Sequence, residues 1–325
     1  MRGQRQTIEE IAVALDRHRS TIHREITRNR CTHDGFYRAM FAVQKANGRR
    51  RRSRRNKRYT AKHFAAIEPM LCADFSPEQI VGRLRVQGVR VMSTETLYLH
   101  IWADKARGGT LWRHLRGANK RRRKRYARKD SRGRLAGKRM ITDRPAVVAA
   151  RARFGDWEAD TVHGKGKPCI VTTVERKSGF LRLAPLPGAT VVHTNAQLIK
   201  LLSHEPHPVR TITPDNGVEF HGYKALEQAL DATVYFATPH QAWERGTNEN
   251  TNGLIRQYLP KGTPLGHLTQ AHCNAIASSL NHRPRRRLGF RTPHEVYYGS
   301  DLITRRQVAS CGKLFGSCPR KRPNG

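Results

Sequence analysis

Apolar residues fall at helical spacing in the first hundred positions and at strand spacing after residue 154. Ile8, Ile11, Ala12 and Leu15 recur at i, i+3, i+4 and i+7, with Thr7 and Glu10 at capping-box spacing, so a short amphipathic helix is predicted over residues 7–15. After a turn at 16–18, a second helix is predicted over 20–28, with Ile22 and Ile26 one turn apart on its inner side. A similar pair follows. Ser76, Pro77 and Gln79 are the cap, first position and capping-box partner of a helix carrying Ile80 and Leu84. A turn containing Gly88 leads to Ser93, which caps 94–102, where Leu97 and Ile101 share one face and Tyr98 and Trp102 the next.

From residue 154 the texture changes. Strands are predicted over 154–162, 168–174 and 179–186, the third with alternation at Phe180, Arg182 and Ala184. Then come a helix over 191–202, a strand over 209–213, a helix over 223–230, a strand over 233–237 and a helix over 247–259. Three meander strands followed by helix and strand alternation predict an α/β sheet covered by helices.

The two N-terminal helix pairs are helix-turn-helix candidates. The second helix of the first pair leaves Thr21, Arg24, Thr27 and Arg28 outside, residue types suited to phosphates and base edges in a major groove. The alternative is a charged, solvated face on a small bundle. For the second pair, DNA and protein both remain open as partners. Between and beyond the pairs lie two basic runs, residues 49–58 and 120–125. The first contains Arg49, Arg50, Arg51, Arg52, Arg54 and Arg55. Like charges at this density repel, so both runs are expected to be arms that track a phosphate backbone.

Charge sharpens this picture. The chain of 325 residues carries 62 Lys+Arg against 25 Asp+Glu, a formal charge of +37, and residues 1–150 hold 38 of the basic and 12 of the acidic residues. Such a balance calls for a polyanionic partner, and the N-terminal half is expected to grasp it. A membrane is not expected as a partner, since no apolar run approaches the roughly 20 residues of a spanning helix and no signal-peptide pattern opens the chain. The expected location is the cytoplasm. The cysteines at 31, 72, 169, 273, 311 and 318 are scattered without zinc spacing, so neither a structural zinc nor a disulfide framework is expected.

Against this basic background three acidic residues stand out: Asp160 in Gly155-Asp156-Trp157-Glu158-Ala159-Asp160, Asp215 in Thr213-Pro214-Asp215-Asn216-Gly217, and Glu249 in Arg245-Gly246-Thr247-Asn248-Glu249-Asn250. Phosphodiester chemistry on DNA uses divalent ions held by hard oxygen ligands. Taken singly, each acid has a plain structural reading: an Asp-Asn-Gly suits a turn, and a Glu near a helix start favours the dipole. Together, on a strand, a loop and a helix, they predict a metal-dependent nucleic-acid site. Strand alternation also puts Asp156, Glu158 and Asp160 on one face, which leaves the first ligand ambiguous from periodicity. On the last helix Glu249, Asn252 and Arg256 share a face, a strip suited to a substrate backbone, while Thr251, Ile255, Tyr258 and Leu259 can pack inward. No activated nucleophile with convergent arginines, as serine or tyrosine recombinases need, is visible.

Those segments carry a resemblance. Gly155–Asp160, Val174-Glu175-Arg176-Lys177-Ser178, Pro214-Asp215-Asn216-Gly217 and the string from Trp243 to Arg256 resemble the signature segments of the bacterial insertion-sequence thirty family of transposases. The 33 residues between Asp215 and Glu249 match that family's Asp-Asp-Glu spacing. Asn281-His282-Arg283-Pro284-Arg285 and Thr292-Pro293-His294-Glu295 resemble its closing segments, and Ser93, Thr96, Leu97 and Tyr98 match another. The resemblance spans roughly residues 5–300. It implies an RNase H-like catalytic domain with a mixed five-stranded sheet, preceded by all-α helix-turn-helix units that bind terminal inverted repeats. It implies that Asp160, Asp215 and Glu249 are catalytic and hold two Mg²⁺ ions, with Mn²⁺ as a substitute. The implied partners are double-stranded DNA, as element ends and target, and further copies of the chain. The implied location is the bacterial nucleoid when bound to DNA.

The expected organisation is a helix-turn-helix domain over 1–48, a basic linker over 49–58, a second helical unit over 59–106, a basic linker over 107–150, a catalytic domain over 151–300 and a basic tail over 301–325. Family members carry a further helix before the first pair. The N-terminal domain is therefore expected to be truncated, with apolar surface at Ile8, Ile11, Ile22 and Ile26 lacking cover. Two other functions fit parts of the pattern. A non-catalytic regulator derived from a transposase would use the helices and leave the acids idle, and a hydrolytic RNase H-type nuclease would not need the basic N-terminal half.

Overall fold

The computed structural model describes residues 6–53, 59–89, 91–116, 137–238 and 246–299. They divide into two compact units, with the boundary near residue 64.

The first unit is helical. Helix α1 (Ile8–Ala14) opens on the expected capping box, with Glu10 N–H donating to Thr7 Oγ1 at 3.3 Å and Thr7 N–H to Glu10 Oε2 at 2.7 Å. Helix α2 (Arg19–Asn29) is capped one residue earlier than expected, by the His18 ring accepting from Ser20 N–H. Ile11, Ala12 and Ile22 are buried between α1 and α2, and Ile8 and Ile26 pack against them. Val13 remains exposed. On α2, Thr21, Arg24, Thr27 and Arg28 all face solvent.

Helix α3 (Ala39–Arg52) differs from the expected basic arm. Arg49–Arg52 form its last turn, and Arg49 donates to Asn29 Oδ1 at 2.5 Å, beneath which Asn29 is fully buried. Arginine is a good helix former, and cations are favoured at a helix C-terminus, so four in one turn end a helix without opposing it. Arg54, Arg55 and the run 120–125 lie outside the described residues. Helix α4 (Ala61–Ala65) runs up to the boundary between the units.

The second unit begins with helices α5 (Glu68–Cys72), α6 (Pro77–Val86) and α7 (Thr94–Ala106). The Ser76/Gln79 capping box and the Ser93 cap form as expected, and Leu71, Ile80, Leu97 and Ile101 are buried at 1% exposure or less. Trp102 is exposed, with the Lys105 ammonium 5.4 Å from its ring centre. Helix α6 is fastened to the far end of the chain. A Cβ at Gly82 would stand 2.2 Å from the Phe290 ring, so only glycine allows that approach, and Arg83 one residue on pairs with Glu295.

Helix α8 (Ala146–Ala149) leads into the sheet. Strands β1 (Asp156–His163), β2 (Cys169–Glu175) and β3 (Leu181–Leu186) form an antiparallel meander. After helix α9 (Val191–Leu202), strand β4 (Thr211–Thr213) pairs parallel with β1. Helix α10 (Tyr223–Leu230) returns the chain to β5 (Thr233–Val234), parallel to β4. The order β3-β2-β1-β4-β5 makes a mixed five-stranded sheet, consistent with an RNase H-like domain. Helices α11 (Gly246–Ile255), α12 (Gln270–Asn281) and α13 (Pro293–Tyr298) close the fold.

The sheet is buried on both faces. Trp157, Ala159, Val171 and Ile212 pack with Leu198 of α9, Leu226 of α10 and Tyr297 of α13. Val162, Ile170, Val174 and Leu183 pack with Leu254 and Ile255 of α11 and with Cys273, Ile276 and Leu280 of α12. Because Trp157 and Ala159 belong to the first face, the alternating carboxylates at 156, 158 and 160 belong to the face that α11 covers. Among the described residues no helix is long and apolar enough to cross a membrane. Cys31, Cys72, Cys169 and Cys273 are free thiols, and burial pushes the Cys169 and Cys273 thiols up to about 11. Cys311 and Cys318 lie outside the described residues.

Candidate active site

The three carboxylates of β1 sit in different surroundings. Asp156, at 1% exposure, is gripped by Arg153 through Nε at 3.0 Å and Nη2 at 3.2 Å, and accepts from Thr211 Oγ1 at 2.8 Å. Glu158, fully buried, pairs with Arg176 Nη1 through one oxygen and accepts from Asn248 N–H at 3.1 Å through the other. Arg176 is itself fixed by donating Nε to Val148 O at 3.0 Å. Both acids are thus tied to arginines within the sheet and its flanks. Asp160 is half-buried, with Oδ1 accepting from Thr161 N–H and Oδ2 from the Asn252 amide, both at 2.8 Å.

Strand pairing carries the chain toward Asp215 alongside the carboxylates of β1. In the parallel pair of β1 and β4, Asp156 stands opposite Thr211, Trp157 opposite Ile212 and Glu158 opposite Thr213. Asp215 lies two residues past β4, beyond the carboxyl end of the shorter strand. Asp215 Oδ1 accepts from Gly217 N–H at 2.8 Å, the local turn that an Asp-Asn-Gly favours. Asn216 secures the loop, donating to Ala237 O and accepting from Lys138 Nζ. The turn reading and the site reading of this tripeptide are therefore compatible.

Helix α11 lies along β1. Asn248 N–H meets Glu158 and the Asn252 amide meets Asp160, so one helical turn is matched to one strand repeat. Glu249 lies beside these contacts, exposed in the first turn of the helix. Thr251, Leu254, Ile255 and Leu259 point inward and are buried. Asn252 and Arg256 are less open than a substrate-facing strip requires. The first holds Asp160, and the second donates Nη2 to His163 O at 2.8 Å and Nη1 to Leu259 O at 3.4 Å, its burial lowering its pKa.

Asp160 thus lies on β1, Asp215 in the turn two residues past the end of β4, and Glu249 in the first turn of α11. Among the described residues, no three His, Cys, Asp or Glu side chains form a ready-made metal cage. The donor types suit a hard cation: three carboxylates, with no thiolate or imidazole among them. The residue Glu219 and the role of Asn252 were not visible in the sequence. Glu219, nearly buried, accepts from Thr161 Oγ1 at 2.8 Å on the opposite face of β1 from Asp160, and Asn252, expected on a substrate-facing strip, orients the Asp160 carboxylate directly. Only the strand register and helix docking reveal them.

Comparison with known proteins gives the site its context. No family model matches the chain. It is 39% identical over 300 residues to the transposase for insertion sequence element IS4351 of Bacteroides fragilis, covering 92% of this chain and 91% of that protein. It is 36% identical over 304 residues to transposase InsI for insertion sequence element IS30A of Escherichia coli strain K12, covering 89% and 78%. Identity is also 36% over 302 residues with the transposase for insertion sequence element IS1086 of Cupriavidus metallidurans, covering 89% and 88%. The chain belongs to the IS30 family of transposases and is itself a transposase.

Proposed function

We propose that this transposase binds the terminal inverted repeats of an insertion sequence and cuts and joins DNA at one active site built on Asp160, Asp215 and Glu249. The observation that carries the proposal is that β4, paired parallel with β1, ends two residues before Asp215, while α11 is pinned across β1 at Glu158 and Asp160 with Glu249 in its first turn. Asp156 and Glu158 hold the frame: Asp156 ties β1 to β4 through Thr211, and Glu158 ties it to the turn after β2 through Arg176.

The three acids would hold two Mg²⁺ ions, for which Mn²⁺ would substitute. Bound there, the ions supply Lewis acidity to the attacking and leaving oxygens of an in-line displacement. Asn252 and the Thr161 N–H fix both oxygens of Asp160, which removes rotational freedom from the carboxylate before DNA arrives. Glu249 completes the set from the first turn of α11. In the first step water attacks phosphorus at the element end, and the bond to the departing 3′ oxygen breaks to leave a 3′-OH. In the second, that 3′-OH attacks a target phosphodiester and displaces a target 3′ oxygen. No covalent protein intermediate is required, and the buried Cys169 and Cys273 thiols, both pushed up in pKa, offer no nucleophile.

End recognition is assigned to the first helical unit. Thr21, Arg24 and Arg28 on the exposed side of α2 face outward as a groove-reading helix requires. The basic end of α3 adds backbone affinity. Since two ends must be cut and joined together, the working form is at least a dimer on DNA. The test is an end-cleavage and joining assay on duplexes carrying the element's own ends. Mg²⁺-dependent release of a 3′-OH followed by its joining to a second duplex supports the reading. Binding without either step would make the chain a regulator, and cutting without joining would make it a nuclease.

A further inference from the structure

Beside α11 the second unit contains a cavity of about 210 Å³ lined by Asp74, Arg116, Leu254, Arg283, Arg285 and Arg286, among others. Four arginines meet there. Arg283, buried, donates to Gln257 and Tyr258 and pairs with Asp74 at 3.4 Å, and Arg286 pairs with the exposed Glu78 at 3.2 Å. The other two are satisfied differently. Arg285 donates its guanidinium to a neutral carbonyl, Leu280 O, at 3.2 Å, and Arg116 reaches only the Asn250 amide oxygen, at 3.4 Å from each terminal nitrogen. Among the described residues neither forms an ion pair with a carboxylate.

Crowding cations in a desolvated pocket is costly unless an anion joins them. Burial first, and then the charges of Arg283, Arg287 and Arg116, push the Arg285 guanidinium down to about 10. A guanidinium fork matches two phosphate oxygens in one plane, and paired forks grip a phosphate more strongly than a point charge does. Position narrows the ligand further. Arg116 touches Asn250, the neighbour of Glu249, and Leu254 in the cavity wall is five residues on. At 1.5 Å per residue that is about 7.5 Å along the helix axis, on the order of two nucleotides of one B-form strand.

We propose that Arg116 and Arg285 form a socket for one backbone phosphate of the DNA strand being processed, about two nucleotides from the phosphate being attacked. The proposal rests on the reading of α11 as an active-site helix. The socket would fix the register of the strand against Glu249, and the middle helical segment would contribute to the active site through Arg116. It contributes position and affinity and carries no base preference.

The test is a binding measurement, so it stands whether or not the wild-type chain cleaves. Terminal-repeat duplexes with a methylphosphonate replacing one phosphate at a time, on each strand near the cleavage position, are titrated with the wild-type chain and with Arg116→Gln and Arg285→Gln, without divalent ions. One position should weaken wild-type binding by about tenfold, the scale of a charge-assisted hydrogen bond. At that position each variant should bind the modified and unmodified duplexes alike, and each should lower the log–log salt slope by about 0.9. Arg116 is exposed, so Arg116→Gln decides the matter even if Arg285→Gln fails to fold. Equal methylphosphonate sensitivity in wild type and variant at every position would overturn the proposal. So would inorganic phosphate that competes with no effect of any single phosphate, which would make the cavity a site for a free anion. Loss of cleavage by wild type with the binding pattern intact would refute the catalytic reading and leave the socket standing.

Discussion

Arg83 and Glu295, 212 positions apart, form a two-pronged ion pair with side-chain exposures of 2% and 0%, one prong at 2.8 Å. Glu295 also closes the capping box of α13 by accepting from Thr292 N–H at 2.7 Å, and Arg83 reaches Phe290 O at 3.3 Å. The pair therefore locks the middle helical segment to the end of the sheet domain. Glu295→Gln keeps a capping side chain and leaves Arg83 buried without its counter-charge. It should destabilise the second unit by about 3–5 kcal/mol in chemical denaturation. The double change Arg83→Met with Glu295→Leu should recover most of that loss; a double variant as unstable as the single one would show that the pair does not act through its charge.

The hydrogen bond from Asn252 to Asp160 makes Asn252 a positioning residue. Asn252→Leu should lower the cleavage rate by about 10–100-fold and raise the Mg²⁺ concentration needed for half-maximal rate, as loss of an outer partner of a metal ligand does. End binding should be unaffected. A lower rate with unchanged Mg²⁺ dependence would mean that Asn252 serves only the packing of α11.

Legibility in the sequence followed the range of the interactions. Helices α1, α6 and α7 announced themselves through local caps, because Thr7–Glu10, Ser76–Gln79 and Ser93–Thr96 are bonds between residues three apart. All five strands were visible as segments, the second as a β-branched run and the third by alternation, and their order and direction came only with pairing. The acids at 160, 215 and 249 could be picked out by segment, whereas the division of labour among Asp156, Glu158 and Asp160 could not. That division is made by Arg153, Arg176 and Asn252, and the Asn252 partner is 92 residues from its acid. Helices α12 and α13 were not predicted; α12 packs on β3, and Tyr297 of α13 packs on Trp157 and Phe180. The Arg49–Arg52 run misled for an electrostatic reason: repulsion along the sequence is relieved on a helix, where successive side chains point about 100° apart.

That run now divides into two roles. Arg50→Gln, Arg51→Gln and Arg52→Gln together should weaken binding to all duplexes alike and flatten the salt slope by about 0.9 for each phosphate no longer neutralised. Arg49→Gln should instead lower the stability of the first unit, because Arg49 secures the buried Asn29. Arg24→Ala should act on sequence choice, narrowing the affinity difference between a terminal repeat and random DNA. Anisotropy titrations across salt concentrations read all three, and a sequence-selective loss from the triple change would place the end of α3 among the base readers.

Acid should loosen the closing segment through His294. This ring stacks on His282 at 4.7 Å between centres, and burial first, then the charges of His282 and Arg182 against that of Glu295, lower its pKa. A lowered folded-state pKa favours the neutral ring, so its contribution is present above the unfolded value of about 6.5 and is lost as pH falls through the folded value. Melting temperature should therefore fall less steeply below about pH 6.5 in His294→Gln than in wild type. Parallel pH profiles would remove His294 from the account.

The central claim is that Asp160, Asp215 and Glu249 act as one set, and it is tested most directly by Asp160→Asn, Asp215→Asn and Glu249→Gln in a single assay. Each variant and the wild-type chain are given labelled element-end duplexes with Mg²⁺, and end binding, release of the 3′-OH and joining to a second duplex are followed on the same sample. The account predicts that each substitution abolishes release and joining while end binding persists, and that no pair of substitutions is worse than one, as for groups that act as a unit. Release and joining at the wild-type rate by any one of the three variants would contradict it.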